Sequence, residues 1–385
     1  MSPVPNSYDA IVIGGGVAGA AAAYRLARSG CSVVLFEKDP AGHPKVCGEF
    51  LSADTLSELE DLEVAVEYLG ATPLDHMRIV HQKLVAEAGL PFVAASLSRQ
   101  VLDRHLLGRA EASGAEVVCG ARVLEVTRAP GNRWDVRADP DRLVNGGAVF
   151  LATGKHDLPG FRREFSATDP YIGFKTYVLL RAEQTAALGR AVEIILFDGG
   201  YAGLQPARDG AANLCLVVRK SVFLAEGKSW AGLLRHLLRT APHMQRRLDG
   251  ADPVWDRPVS ISPLPFGYGP RRRRCESGFF RLGDQMCVLP AIVGDGISVA
   301  LQSARLACAC FLSGSDSGVY GEMANRRFAS SRMRASSLSG LATWSAAQRP
   351  LVKACRAFPS LLKRAASISR TSVQAKPEAA ERIAT

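Results

Sequence analysis

Residues 8–13, apolar apart from Asp9, stop at a glycine and read as a buried strand. Residues 17–29 are alanine-rich and are punctuated at their end by Gly30, which predicts a helix. Residues 32–36 form a second apolar run, closed by Glu37. Together they predict a βαβ unit of about thirty residues. Residues 41–60 start irregular and turn helical. Residues 76–95 alternate, with Gly89-Leu90-Pro91 as the expected turn. Val101, Leu102, His105, Leu106 and Ala110 recur at helical spacing over 99–112. Strands are expected at 117–118, 122–126, 134–136 and 148–152, the last running into Thr153-Gly154.

The pattern changes over 170–220. Residues 171–180, 192–197 and 213–218 are β-rich and joined by Gly/Asp turns, which predicts an antiparallel sheet. A helical stretch follows at 230–248, then a strand at 279–282 and a helix at 296–312. Beyond Ser331 the pattern is helical in parts, with breaks expected at Pro350 and Pro359 and disorder from about Ser369. The chain thus leaves its first α/β unit and re-enters it, so that the N-terminal strands and 279–312 share one core.

Gly14-Gly15-Gly16-Val17-Ala18-Gly19 stands between the first strand and the first helix. Gly14 permits the tight turn, Gly16 lets backbone approach a pyrophosphate, and Gly19 allows close helix–strand packing. The helix N-terminus then offers free N–H groups to phosphate. Glu37, twenty-three residues after Gly14, is placed to accept hydrogen bonds from ribose hydroxyls and to repel a 2′-phosphate. That motif alone does not separate FAD from NAD. The return at Phe279-Phe280-Arg281-Leu282-Gly283-Asp284, followed by Pro290 and Gly294-Asp295-Gly296-Ile297 at a helix start, points to FAD. Asp284 suits a ribityl chain, and the glycine-rich helix start suits the pyrimidine edge of a flavin.

Composition changes this picture little. The chain has 385 residues, 47% hydrophobic and 22% charged, ordinary for an α/β protein of two connected domains. No apolar run of about eighteen residues is present, and the N-terminus lacks signal-peptide character. Nine scattered cysteines without paired spacing suit a reducing cytoplasm. The net charge of +10 is concentrated: residues 331–385 hold ten Lys/Arg and two acids, supplying +8. That distribution argues against nucleic acid and leaves room for weak membrane-surface contact through the tail. The run Arg271 to Arg274 is expected to be a solvated turn.

The GxGxxG loop, Lys45-Val46-Cys47-Gly48-Glu49, Ser98-Arg99 with Leu102-Asp103, and Gly283-Asp284 resemble the geranylgeranyl reductase-like flavoproteins, within the para-hydroxybenzoate hydroxylase-type superfamily. The match spans about residues 8–330. The resemblance implies a Rossmann-type FAD-binding domain, an inserted antiparallel β-sheet substrate domain and a helical C-terminal region. The expected divisions are 1–165 with a β insertion at about 70–97, 166–270, 271–330 and 331–385. Cofactor contacts are expected at Gly14, Gly16, Val17, Ala18, Gly19, Glu37, Lys38, Cys47, Gly48, Arg99, Val123, Asp284, Gly294, Gly296 and Ile297. Catalytic candidates are Cys47, Lys45 and Tyr201, with no metal. Tyr171, Phe174 and Lys175 are candidates to face substrate, and His156 with Asp157 is a candidate acid–base pair.

Two departures refine the expectation. Thr153 stands where the hydroxylases carry Asp before Gly154, so the electron donor stays open between NAD(P)H and a reduced carrier. Geranylgeranyl reductases carry Tyr-x-Trp-x-Phe-Pro against their lipid; Tyr201-Ala202-Gly203-Leu204-Gln205-Pro206 has Gly203 and Gln205 at the two aromatic positions. The expected function is FAD-dependent reduction or dehydrogenation of a C–C bond in an apolar or aromatic small molecule. The alternatives are an FAD-dependent monooxygenase and an electron-transfer flavoprotein that works with a redox carrier protein.

Overall fold

A computed structural model describes residues 6–269 and 276–371. The Arg271 to Arg274 run and the chain after residue 371 lie outside the described residues.

Strand Asn6–Ile13 is the centre of a seven-stranded sheet, with Val33–Glu37 and then Glu116–Cys119 on one side and Arg142–Leu151 on the other, all parallel. The side chains of Ala10 to Ile13 alternate between two cores, which explains why all four are apolar. Ala10 and Val12 pack toward the helices; Ile11 and Ile13 pack toward the opposite layer. Helix Val17–Arg28 lies close on the sheet because Ala20, Ala21, Ala22 and Ala23 are fully buried and short. Helix Gly296–Leu312 packs beside it, and Phe279–Arg281 pairs in parallel with the far end of Arg142–Leu151. The late segment therefore returns to the N-terminal core.

The second sheet has nine strands. Tyr171–Leu179, Ala211–Arg219, Gly200–Pro206 and Ala191–Phe197 form its antiparallel body, here called the roof. Thr72–His81 joins it in parallel with Ala191–Phe197, and Leu84–Ser96 follows, so the 70–97 insertion belongs to the roof sheet. Helices Trp230–Thr240 and Pro242–Arg247 supply Leu233, Leu237 and Met244 to the core on its outer face; the helical stretch expected as one divides at Ala241.

Three expectations are corrected. Leu84–Ser96 continues through Gly89-Leu90-Pro91 with an irregularity, its register against Thr72–His81 shifting between Leu74 and His76, and the hairpin turns instead at Gln82, whose φ is 54°. Helix Ser317–Thr343 runs unbroken past residue 331, and Pro350 sits inside helix Ser345–Ala357 rather than ending it. Pro359 does open the next helix, Pro359–Ile368. Ser369, Arg370 and Thr371, where disorder was expected to begin, are buried.

Candidate functional site

The glycine loop is built by close approach. Gly14 has φ 104°, and a Cβ there would lie 2.5 Å from the Ala152 carbonyl oxygen. A Cβ on Gly19 would lie 1.8 Å from the Gly14 carbonyl oxygen, so a side chain would force helix and strand apart. Gly16 is the N-cap of Val17–Arg28, with no side-chain cap and no acid in the first turn, which leaves the helix start open to an anion. Glu37 is buried and accepts the Gly15 N–H at 2.7 Å and the Asp39 N–H at 3.0 Å. Those bonds hold its carboxylate at the end of its strand. Lys38 and Lys45 both pair with Asp39, and Lys45 lies 3.9 Å from Glu37. The Lys45 ammonium thus faces the carboxylates of Glu37 and Asp39. Val123 is buried in the same cluster as Phe36 and Ala121.

Arg99 begins helix Arg99–Ala112 and makes a two-pronged ion pair with Asp103 at 2.7 and 2.8 Å. A Cβ on Gly16 would meet only the Arg99 guanidinium, at 3.7 Å. The Arg99 N–H donates to Glu49 at 2.7 Å. Glu49 has φ 61° and is fully buried. It pairs with the fully buried Lys175 and accepts the Tyr177 hydroxyl at 2.5 Å and the Asn213 amide at 3.3 Å. The Asn213 amide also donates to the Gly48 carbonyl at 2.9 Å, and the Cys215 thiol to the Cys47 carbonyl at 3.0 Å. Burial pushes both the Cys215 thiol and the Tyr177 hydroxyl up, and Glu49 adds to the second. Each therefore stays protonated as a donor. The result is a loop held from both sheets, with the Cys47 sulfur accepting the Glu49 N–H at 3.3 Å and open space above Gly48.

At the other end of the loop system Asp284 accepts Lys155 at 2.8 Å. Gln285 bonds the carbonyls of Gly154 and His156, both at 2.9 Å, which ties the Thr153-Gly154 segment to Gly283-Asp284. The candidate His156–Asp157 acid–base pair is not formed. Asp157 instead holds Arg163 at 2.7 Å, and burial lowers the His156 pKa, helped by Lys38 and Lys45, so its ring is neutral at pH 7.

Gly294 has φ 68°, with the Phe50 ring 2.9 Å from where a Cβ would be, and nothing stands within 4 Å of a Cβ on Gly296. Ile297 is buried. Asp295 does not cap its helix through its side chain. It is buried and takes Ser52 at 2.7 Å, Arg370 at 3.2 Å and the Thr371 N–H at 2.9 Å. Burial pushes its carboxyl up, against the pull of Arg370. Arg370 also lies over the rings of Phe50 and Phe92.

The inner face of the roof follows from register. Gly203, Cys215 and Lys175 are neighbours across three strands, as are Tyr201, Val217 and Gly173, and Gln205, Asn213 and Tyr177. Contacts of Lys175 and Cys215 with the 47–49 loop show that these rows face the first domain. Gln205 bonds Ser96 at 2.8 Å, while Gly203 opens onto empty space. Burial raises the Tyr201 hydroxyl pKa; it is directed at the Ile292 backbone and forms no well-aligned hydrogen bond. Tyr171 faces the same side and meets Phe266, whereas Phe174 packs outward against Phe223 and Trp230.

Residues 9–90 match the FAD dependent oxidoreductase family model. This chain is an FAD-dependent oxidoreductase. The oxidoreductase is 28% identical over 309 residues to a digeranylgeranylglycerophospholipid reductase 2 of Methanopyrus kandleri, covering 78% of this chain and 76% of that protein. Its fold matches a geranylgeranyl bacteriochlorophyll reductase-like protein of Thermoplasma acidophilum, with a TM-score of 0.74 at 19% identity over 98% of this chain and 95% of the other. It also matches a probable FAD-dependent monooxygenase, pqsL of Pseudomonas aeruginosa, with a TM-score of 0.71 at 16% identity over 91% and 99%. Those two likenesses show the fold and leave the chemistry open. The open helix start at Gly16 and the free space over Gly48, Gly154 and Gly296 fit FAD, because each is backbone that a cofactor can approach.

Sequence reasoning missed Glu49 as a hub, Lys155 as the counter-ion of Asp284, and Arg370 at Asp295. Glu49 and Lys155 stood inside quoted motifs. Arg370 carried no local signal.

Proposed function

We propose that this oxidoreductase reduces or dehydrogenates a C–C bond of an apolar or aromatic small molecule lying beneath the roof, beside Cys47 and Gly48. The observation that carries the proposal is the state of the polar groups on the inner face. Glu49, Lys175, Tyr177, Asn213 and Cys215 bond one another or the loop, so none is free for acid–base work on substrate. What remains open is the space at Gly203, on the same face as buried, apolar Val217 and Leu196. Bound FAD supplies two-electron redox chemistry there. The chain's own part is to hold the substrate against that position, exclude water and fix the loop through Glu49.

The remaining contacts are assigned as follows. The Gly14–Gly19 loop meets the pyrophosphate, Glu37 the adenosine ribose and Asp284, steadied by Lys155, the ribityl hydroxyls. The Gly294–Ile297 turn meets the pyrimidine edge. Gly203, in place of an aromatic, shapes the site for a bulky ring system rather than a slender chain.

The test is anaerobic. The FAD-loaded enzyme is reduced with NADH, NADPH or a low-potential carrier and mixed with candidate substrates without oxygen. For a compound that is reduced, reoxidation of the cofactor with one equivalent of reduced product is expected; for one that is dehydrogenated, reduction of the oxidised enzyme with one equivalent of dehydrogenated product. Enzyme that exchanges electrons with no such compound in either state of the cofactor without oxygen, and that inserts an oxygen atom into substrate once oxygen enters, overturns the proposal.

A further inference from the structure

We propose that the two C-terminal helices form a docking face for an anionic membrane surface. Residues 331–371 contain eight Lys/Arg and no Asp or Glu. Helices Ser345–Ala357 and Pro359–Ile368 pack together and lie across the roof strand Leu84–Ser96, with Val352, Cys355 and Leu362 turned into that contact. Their other sides differ from each other. On the first, Arg349, Lys353 and Arg356 are exposed at spacings of four and three, a row of cations along one face. On the second, Leu361, Arg364 and Ile368 are exposed at spacings of three and four, with Phe358 exposed at the helix start. Among the described residues, none of Arg349, Lys353, Arg356, Lys363 or Arg364 forms an ion pair.

Trp344 and Phe358 mark the two corners of this helical pair, at the junctions before and after Ser345–Ala357, and are 64% and 63% exposed. Large aromatics left in water at both corners, beside a row of unpaired cations, match the two requirements of interfacial binding. Apolar side chains enter the acyl boundary while Lys and Arg stay with anionic headgroups. An acidic protein partner would use the cations but gives no role to Phe358, Leu361 and Ile368 projecting from the helix beside them. One acid, Asp198, accepts the Ser345 hydroxyl at the start of the first helix, and residues 331–371 themselves carry none, so the cations keep a net positive field at the surface they face.

The test uses the full FAD-loaded chain, needs no turnover and is therefore independent of the reaction proposed above. Sedimentation is compared with vesicles of phosphatidylcholine alone and with vesicles carrying about one third phosphatidylglycerol. The chain is expected to bind the second at least about tenfold more tightly, with the difference shrinking at high salt. The triple variant R349E/K353E/R356E is expected to lose on the order of a hundredfold and its lipid preference. The triple variant F358S/L361S/I368S is expected to lose at least about tenfold while keeping its bound FAD. Brominated acyl chains should quench tryptophan emission in the wild type and not in W344F. Failure to bind either vesicle, binding unchanged in both triple variants, emission left unquenched, or capture of an acidic redox protein in place of vesicles would each overturn the proposal.

Discussion

Glu49 and Glu193 are both fully buried acids held against the same sheet, and they do opposite jobs. Glu193 lies on the outer face of the roof. It takes Arg78 at 3.1 Å, His243 at 2.8 Å and Arg247 at 2.6 and 3.1 Å, all from the roof sheet or the helices that cover it. Glu49 lies beneath the inner face, on a left-handed loop residue, and draws its partners from a helix of the first domain and from two strands of the roof. The first cluster closes one layer on itself. The second joins two layers and fixes the backbone of Cys47 and Gly48. A buried acid is thus assigned to a site or to the scaffold by where its partners come from, rather than by its burial.

The comparison breaks most sharply at Glu49. E49Q removes the counter-ion of buried Lys175 and is expected to cost about 3–5 kcal/mol in denaturant unfolding. It should also loosen FAD, because the 47–49 loop loses its anchor. The pair E49Q/K175M is expected to regain part of the stability and little of the FAD affinity. Equal loss of FAD in E49Q and E193Q would abolish the distinction.

Glu193 sharpens it through pH. Burial pushes this carboxyl up, but the hydrogen bonds from His243 and Arg247 outweigh that and bring it down to about 2, from an ordinary 4.5. A depressed carboxyl gives stability that is present above the ordinary value and is lost as pH falls toward the folded value. Between pH 4.5 and 2 the chain should lose about 3 kcal/mol from this group. In E193Q that part of the acid transition should vanish, with FAD affinity at pH 7 unchanged. An acid transition identical in both proteins contradicts the assignment.

The smallest effect is expected at Gly203, where no atom stands within 4 Å of an added Cβ. G203W should change stability by no more than about 0.5 kcal/mol and keep FAD, while weakening binding of bulky substrates. A large loss of stability would show that the space is not open.

The parts of the fold that are legible in sequence are those whose partners are close in the chain. The Gly14 to Glu37 unit is one, since strand, helix and acid each follow from local pattern. The Arg99–Ala112 and Gly296–Leu312 helices are others. Pro91 misleads because it falls where the pairing of Leu84–Ser96 with Thr72–His81 is irregular and needs no ladder N–H, and the true turn at Gln82 carries no glycine or asparagine. The Glu49 hub is illegible for a different reason. Its partners Lys175, Tyr177 and Asn213 lie 126, 128 and 164 residues away, and only tertiary structure brings them together. Ser369 to Thr371 look like a polar, dispensable end, yet Arg370 and Thr371 reach Asp295 from 75 and 76 residues away.

The reaction class is tested most directly on the product. Turnover is run in air enriched in ¹⁸O₂ with a deuterium-labelled electron donor in deuterated water, and the product is analysed by mass. No heavy oxygen in the product, with deuterium on its carbon where the bond is reduced, is the expected result, because Glu49, Lys175, Tyr177, Asn213 and Cys215 on the inner face are engaged with one another or with the 47–49 loop. One heavy oxygen atom in the product would contradict the account and make the oxidoreductase a monooxygenase.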